Sequence, residues 1–151
     1  MSKIAVFLDN DGTLISDVPY NNDLYRVGMS NATDKALERI YEIGCELVPI
    51  SNRAPQPGMI LRAAFDLDLD LRRSWFLGHT LDGIEAGRRA GCHTILINNG
   101  TETEWSISPE RQPHFIVSNL EEAVRTIISI LKYKNEDLFA LDVDVFSLMV
   151  E

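Results

Sequence analysis

The sequence predicts an α/β protein with a parallel sheet covered by helices on both faces. Three observations carry this. Short apolar runs alternate with segments of helical periodicity along most of the chain. The apolar runs are near-continuous, as in strands buried on both sides. Glycine, proline and small capping residues punctuate them at regular intervals.

Residues 4–8 (IAVFL) form the first predicted strand. Residues 33–43 place Ala36, Leu37, Ile40 and Tyr41 at helical spacing, with Gly44 as a stop. Residues 46–50 (ELVPI) are a short second strand, and Pro49 marks it as an edge or a strand end. Pro57 opens a helix through about Leu67. Residues 74–77 (SWFL) are a third strand ending in Gly78. Thr80 caps a helix that Gly91 closes. Residues 94–97 (TILI) and 115–117 (FIV) are the fourth and fifth strands. Ser118 with Glu121 reads as a capping box, followed by the stripe Leu120, Val124, Ile127, Ile128 and Leu131.

Residues 1–134 thus read as one domain, and 135–151 as an extension. The extension holds five acids, no base and many apolar residues, and its LDVDVF alternates as a strand does. It reads as an added edge strand or packed segment, or as a docking element for a protein partner or for self-association.

The chain has 151 residues, with 45% hydrophobic and 25% charged, the balance of a soluble globular protein. Its formal net charge of −9 argues against nucleic acid or anionic membrane as partners. Cys45 and Cys92 lack the spacing of a metal site or a disulfide framework and read as reduced thiols. Neither a leader nor a membrane-spanning run is visible, so the expected location is cytoplasmic.

In parallel α/β sheets, ligands bind beyond the carboxyl ends of the strands. That rim would carry Asp9, Ser51 and residues 78–82. Asp9 and Asp11, in FLDNDGTL, leave the first strand one residue apart. D-N-D-G is also good turn chemistry. A carboxylate at this position can attack phosphorus, and a second one two residues on can protonate a leaving oxygen and then activate water. Backbone N–H groups at Gly12 and Thr13 suit phosphate oxygens.

FLDNDGTL resembles the first motif of the haloacid dehalogenase-like (HAD) phosphohydrolases, across about residues 3–130. The histidinol-phosphate and heptose-bisphosphate phosphatase subgroup is the nearest match in pattern. RAPQPGM (53–59) and GHTLDGIEAGRRAG (78–91) resemble two of that group's later stretches, in the right order. The resemblance implies a three-layer Rossmann-like fold with no cap domain. It implies that Asp9 is the nucleophile and a Mg²⁺ ligand, and that Asp11 is the acid/base with its carbonyl on the metal. Ser51, Asn52 and Arg53 would hold the substrate phosphate of a small phosphorylated metabolite, a sugar phosphate or histidinol phosphate.

The chain departs from the pattern where charge matters most. The family's phosphate-binding lysine falls on Ala54, and its two later metal acids fall on His79 and Gly83, with Asp82 beside the second. Imidazole is a poor substitute for oxygen on Mg²⁺, though His79 with Asp9 suits a softer divalent ion. Asp82 is a further candidate ligand. Loss of one electrostatic contact in an active site costs about 10²–10³ in rate. Arg53, beside the missing lysine, is the natural compensator. The long insert that follows the second motif in the subgroup is also missing, which leaves specificity to residues 16–30, with Tyr20, Tyr25 and Arg26. Two function classes follow: a phosphohydrolase of impaired activity, or an inactive relative (a pseudoenzyme) that binds a phosphate, ligand or partner. A receiver-type signalling domain ranks behind both, because the fourth strand ends in Asn98, Asn99 and Gly100 rather than in a lysine.

Overall fold

A computed structural model describes residues 2–9, 31–50, 56–98 and 108–132. The described chain runs β1 (Ala5–Asp9), α1 (Asn31–Glu42), β2 (Glu46–Ile50), α2 (Gly58–Leu67), a 3₁₀ turn (Leu71–Arg73), β3 (Trp75–Gly78), α3 (Leu81–Ala90), β4 (His93–Ile97), β5 (Phe115–Val117) and α4 (Leu120–Lys132). All five strands pair in parallel, in the order β2-β1-β3-β4-β5. The predicted parallel sheet with helices on both faces is therefore the observed one.

Strand periodicity sorts the side chains into two cores. Val6, Leu8, Trp75, Leu77, Ile95 and Ile97 face α1 and α4. Ala5, Phe7, Phe76 and Leu96 face α2 and α3, where Ile60, Leu81 and Ile84 meet them. Asp9 shares the parity of Ala5 and Phe7, so it is aimed at the α2 and α3 side.

Register explains Pro49. Glu46 N–H donates to the Ile4 carbonyl at 2.9 Å, and Ala5 stands opposite Glu46. In a parallel pair alternate residues bond the neighbour, so Val48 and Ile50 also turn their backbone groups to β1. Leu47 and Pro49 face the open edge of the sheet, where a missing N–H costs nothing.

The caps follow the sequence at α3 and differ at α4. Thr80 Oγ1 accepts from Gly83 N–H at 3.2 Å, and Gly91 ends α3 in the left-handed region at φ 97°. At α4 the capping box sits one residue later than Ser118 and Glu121 predict. Glu122 N–H donates to Asn119 Oδ1 at 2.8 Å, and Ser118 N–H donates to Glu122 Oε2 at 2.7 Å. Asn119 is the better-placed acceptor because α4 begins at Leu120.

Ser74 joins the start of the sheet. Its buried hydroxyl accepts from Ala5 N–H at 2.9 Å and donates to the Asp70 carbonyl at 2.6 Å. Among the described residues no helix is long and apolar enough to cross a membrane. Cys45 and Cys92 are free and buried, and burial pushes their thiols up to about 11 and about 12. They are thiols, not thiolates, at neutral pH, which fits a packing role.

Candidate functional site

The strand order puts a topological switch point between β1 and β3. The chain passes from β1 to β2 on one side, then returns across β1 to build β3. In parallel α/β sheets ligands bind at such a switch point, beyond the carboxyl ends of the strands. Asp9 is the last residue of β1, and His79 is the first after β3.

Asp9 is 2% exposed. A carboxylate this buried needs hydrogen-bonding or charged company. His79 supplies part of it, with Nδ1 3.9 Å from Asp9 Oδ2. The attraction carries charge on both sides when His79 is protonated.

Gly83, in the first turn of α3, closes the other side. A Cβ there would stand 3.4 Å from Asp9 Oδ2 and 3.1 Å from Phe76 Cε1. Position 83 thus borders the Asp9 carboxylate, and the edge of the Phe76 ring crowds it. The sequence marks 83 as a lost acid. Only the fold shows that the Phe76 ring stands against this position.

Packing of α3 onto β3 depends on the same ring. A Cβ at Gly87 would fall 2.8 Å from Phe76 Cβ and 3.0 Å from Thr94 Cγ2. Glycine one turn after Gly83 lets the helix descend onto the sheet, which brings the Thr80-capped end of α3 to Asp9.

Asp82, a candidate ligand in the sequence, is engaged by an arginine. Arg111 Nη1 contacts Asp82 Oδ1 at 3.0 Å and Glu85 Oε1 at 3.1 Å. Arg89 Nη2 reaches the second oxygen of Glu85 at 2.8 Å and Glu110 at 3.6 Å. This network ties the segment before β5 to the rim end of α3. Nothing in the sequence signals it, because its partners lie 26 and 29 residues apart.

A second unforeseen group lies under β4. His114 Nδ1 accepts from Thr94 N–H at 2.9 Å, and Arg88 Nη1 stands 3.1 Å from His114 Nε2. Burial, followed by the charge of Arg88 and His93, lowers His114 to about 3. Burial, followed by Arg72 and Arg88, lowers His93 to about 4. Both rings are neutral structural groups at pH 7.

Asp11, Ser51, Asn52, Arg53 and Ala54 lie outside the described residues, as do residues 16–30 and 135–151. The structure brings together Asp9, His79 and Gly83, and it gives Asp82 to Arg111. No group of three His, Cys, Asp or Glu side chains able to hold a metal occurs among the described residues. His79 Nδ1 is a described neighbour of the Asp9 carboxylate, and an imidazole nitrogen is a poor ligand for a hard, octahedral, oxygen-seeking Mg²⁺. The described part of the site is a buried carboxylate at the carboxyl end of β1, with an imidazole beside it.

Comparison with known proteins shows what the chain and its fold are similar to. The family model described as HAD-hydrolase-like matches residues 51–123. A D-glycero-D-manno-heptose-1,7-bisphosphate 7-phosphatase of Thermosynechococcus vestitus is 40% identical over 78 residues, covering 50% of this chain and 40% of that protein. The enzyme of the same name from Chlorobaculum tepidum is 35% identical over 82 residues, covering 50% and 41%. The matches thus span well under half the length of these relatives. Among solved structures, a putative HAD-like phosphatase from Mesorhizobium loti superposes with a TM-score of 0.62 at 21% identity, covering 83% of this chain and 88% of that one. A putative β-phosphoglucomutase from Bacteroides vulgatus superposes with a TM-score of 0.67 at 12% identity, covering 87% and 91%. At these identities the superpositions establish the fold.

Proposed function

We propose that this chain is a HAD-like phosphohydrolase related to the heptose-bisphosphate phosphatases, acting slowly on a small phosphorylated sugar. One observation carries the reading: a buried aspartate ends β1 at the switch point between β1 and β3. In the proposed reaction an Asp9 carboxylate oxygen attacks phosphorus, and the ester P–O bond breaks. Asp11 gives its proton to the leaving alcohol. Asp11 then takes a proton from water, whose oxygen attacks the aspartyl-phosphate and releases inorganic phosphate and Asp9. Ser51, Asn52 and Arg53 are the proposed phosphate grip. The sugar-phosphate class rests on the relatives' names.

In this superfamily a bound Mg²⁺ neutralises charge on the transferring phosphoryl group. The low turnover in this proposal rests on His79, Gly83 and the uncharged Ala54, which stand where the resembled pattern has charged groups.

His79 and the crowded position 83 favour a second reading, in which the fold binds a phosphorylated ligand without hydrolysing it. The test is phosphate release by the full chain from heptose 1,7-bisphosphate, histidinol phosphate and an aryl phosphate, with Mg²⁺, Mn²⁺ or Zn²⁺ added. Slow release that Asp9→Asn abolishes is the expected result. Saturable binding without release supports the binding reading, and neither binding nor release rejects both.

A further inference from the structure

His114 and Arg88 bring two hydrogen-bond donors face to face. Thr94 N–H donates to His114 Nδ1 at 2.9 Å, and Thr94 Oγ1 stands 3.0 Å from the same nitrogen. Nδ1 therefore carries the ring's lone pair, and the proton of the neutral imidazole sits on Nε2. Nε2 in turn stands 3.1 Å from Arg88 Nη1. A guanidinium nitrogen only donates, so N–H meets N–H. Shifting the ring proton to Nδ1 moves the same conflict to Thr94 N–H, and a second ring proton adds to it. Neither tautomer satisfies both neighbours.

An acceptor beside Nε2 and Nη1 resolves the conflict, because one oxygen receives from both. The surrounding charge selects an anion. Arg88 Nη1 also donates to the Gln112 carbonyl at 3.0 Å, yet among the described residues no carboxylate pairs with Arg88. The next residue, Arg89, pairs with Glu85 and Glu110. After burial, the charges acting on the two nearby rings are all positive: Arg72 and Arg88 on His93, Arg88 and His93 on His114. Such a group of cations, in a chain with 23 acidic and 14 basic side chains, is a local reversal of the overall charge.

We propose that Arg88 and the Nε2–H of His114 bind a small oxyanion of the phosphate class. Arg88 lies in the last turn of α3, whose first turn meets Asp9, and His114 directly precedes β5. The site is therefore at the amino ends of the strands, away from the Asp9 rim, and does not rest on the hydrolase reading. Both side chains are half-buried. That strengthens their hold on an ion while leaving it a way in.

Nitrogen NMR of the histidine rings tests this in the full chain, which has three histidines, one of them His79 at the Asp9 rim. Signals are assigned with His79→Asn, His93→Gln and His114→Asn. Inorganic phosphate is titrated into the millimolar range at neutral pH, with sodium chloride of matched ionic strength as the control. A saturable shift of His114 Nε2 that chloride does not produce is the expected result. Arg88→Met weakens that binding about tenfold or more, the worth of one hydrogen bond to a charged group, while the amides of β1 and β3 keep their positions. An unmoved His114 overturns the proposal, and the parent protein alone decides this. A shift that chloride reproduces overturns it, as does one that Arg88→Met leaves unchanged. A shift confined to His79 places phosphate at the Asp9 rim only and also overturns it.

Discussion

His79 Nδ1 lies 3.9 Å from Asp9 Oδ2, and these two residues flank the switch point where the chain reverses direction across β1. An imidazole therefore stands beside the buried carboxylate. The resemblance to the HAD phosphohydrolases predicts a hard oxygen ligand at that position.

His79→Asp is expected to tighten Mg²⁺ binding, measured by calorimetry, and to raise phosphate release about 10²-fold, the size of one restored electrostatic contact. The companion change Gly83→Asp requires the Phe76 ring to give by a few tenths of an ångström, because Phe76 Cε1 would sit 3.1 Å from the new Cβ. Unchanged Mg²⁺ affinity in His79→Asp would show that position 79 does not face the metal seat.

Gly87→Ala should cost about 1–3 kcal/mol in urea unfolding, the usual cost of overpacking. Its Cβ would fall 2.8 Å from Phe76 Cβ, which cannot rotate away as a ring edge can. Gly91→Ala acts differently: its strain lies in the backbone at φ 97° and not in any contact. A melt unmoved by Gly87→Ala contradicts the close approach of α3 to β3.

Acid should destabilise the fold through His93 and His114. Both are lowered when folded, to about 4 and about 3, while the unfolded chain binds their protons near pH 6.5. The unfolded state then holds more protons between those limits. The stabilisation is complete above about pH 6.5 and is lost as pH falls toward 4 and 3. Each ring contributes a slope of up to about 1.4 kcal/mol per pH unit. Urea midpoints from pH 7 to pH 4 should fall steeply, and less so in the His93→Gln, His114→Asn double variant. Parallel profiles for the two proteins exclude the histidines as the cause.

Within the Arg111 network the two carboxylates differ in burial, with Glu85 8% and Asp82 49% exposed at the side chain. A double-mutant cycle should give a coupling of about 1–2 kcal/mol for Arg111 with Glu85. The half-exposed Asp82 should couple by no more than about 1 kcal/mol. The reverse order would mean that the segment before β5 is held from the rim and not from the buried flank of α3.

Order and type of the strands and helices were legible in the sequence because local patterns set them. Apolar runs, the Thr80 cap, the Gly91 stop and the edge-marking Pro49 each report on neighbours a few residues away. Asp9 was legible too, since a carboxylate that ends a buried strand in an α/β pattern belongs to the binding rim. The fate of Asp82 was not, because an arginine 29 residues downstream claims it. The sequence also showed that an acid is missing at 83, but not that Phe76 leans against its place, which depends on how closely α3 packs on β3. Periodicity and capping are short-range and can be read along a chain. Which charged partner reaches a side chain, and which ring fills a gap, depends on contacts between distant segments, and only the folded molecule brings those segments together.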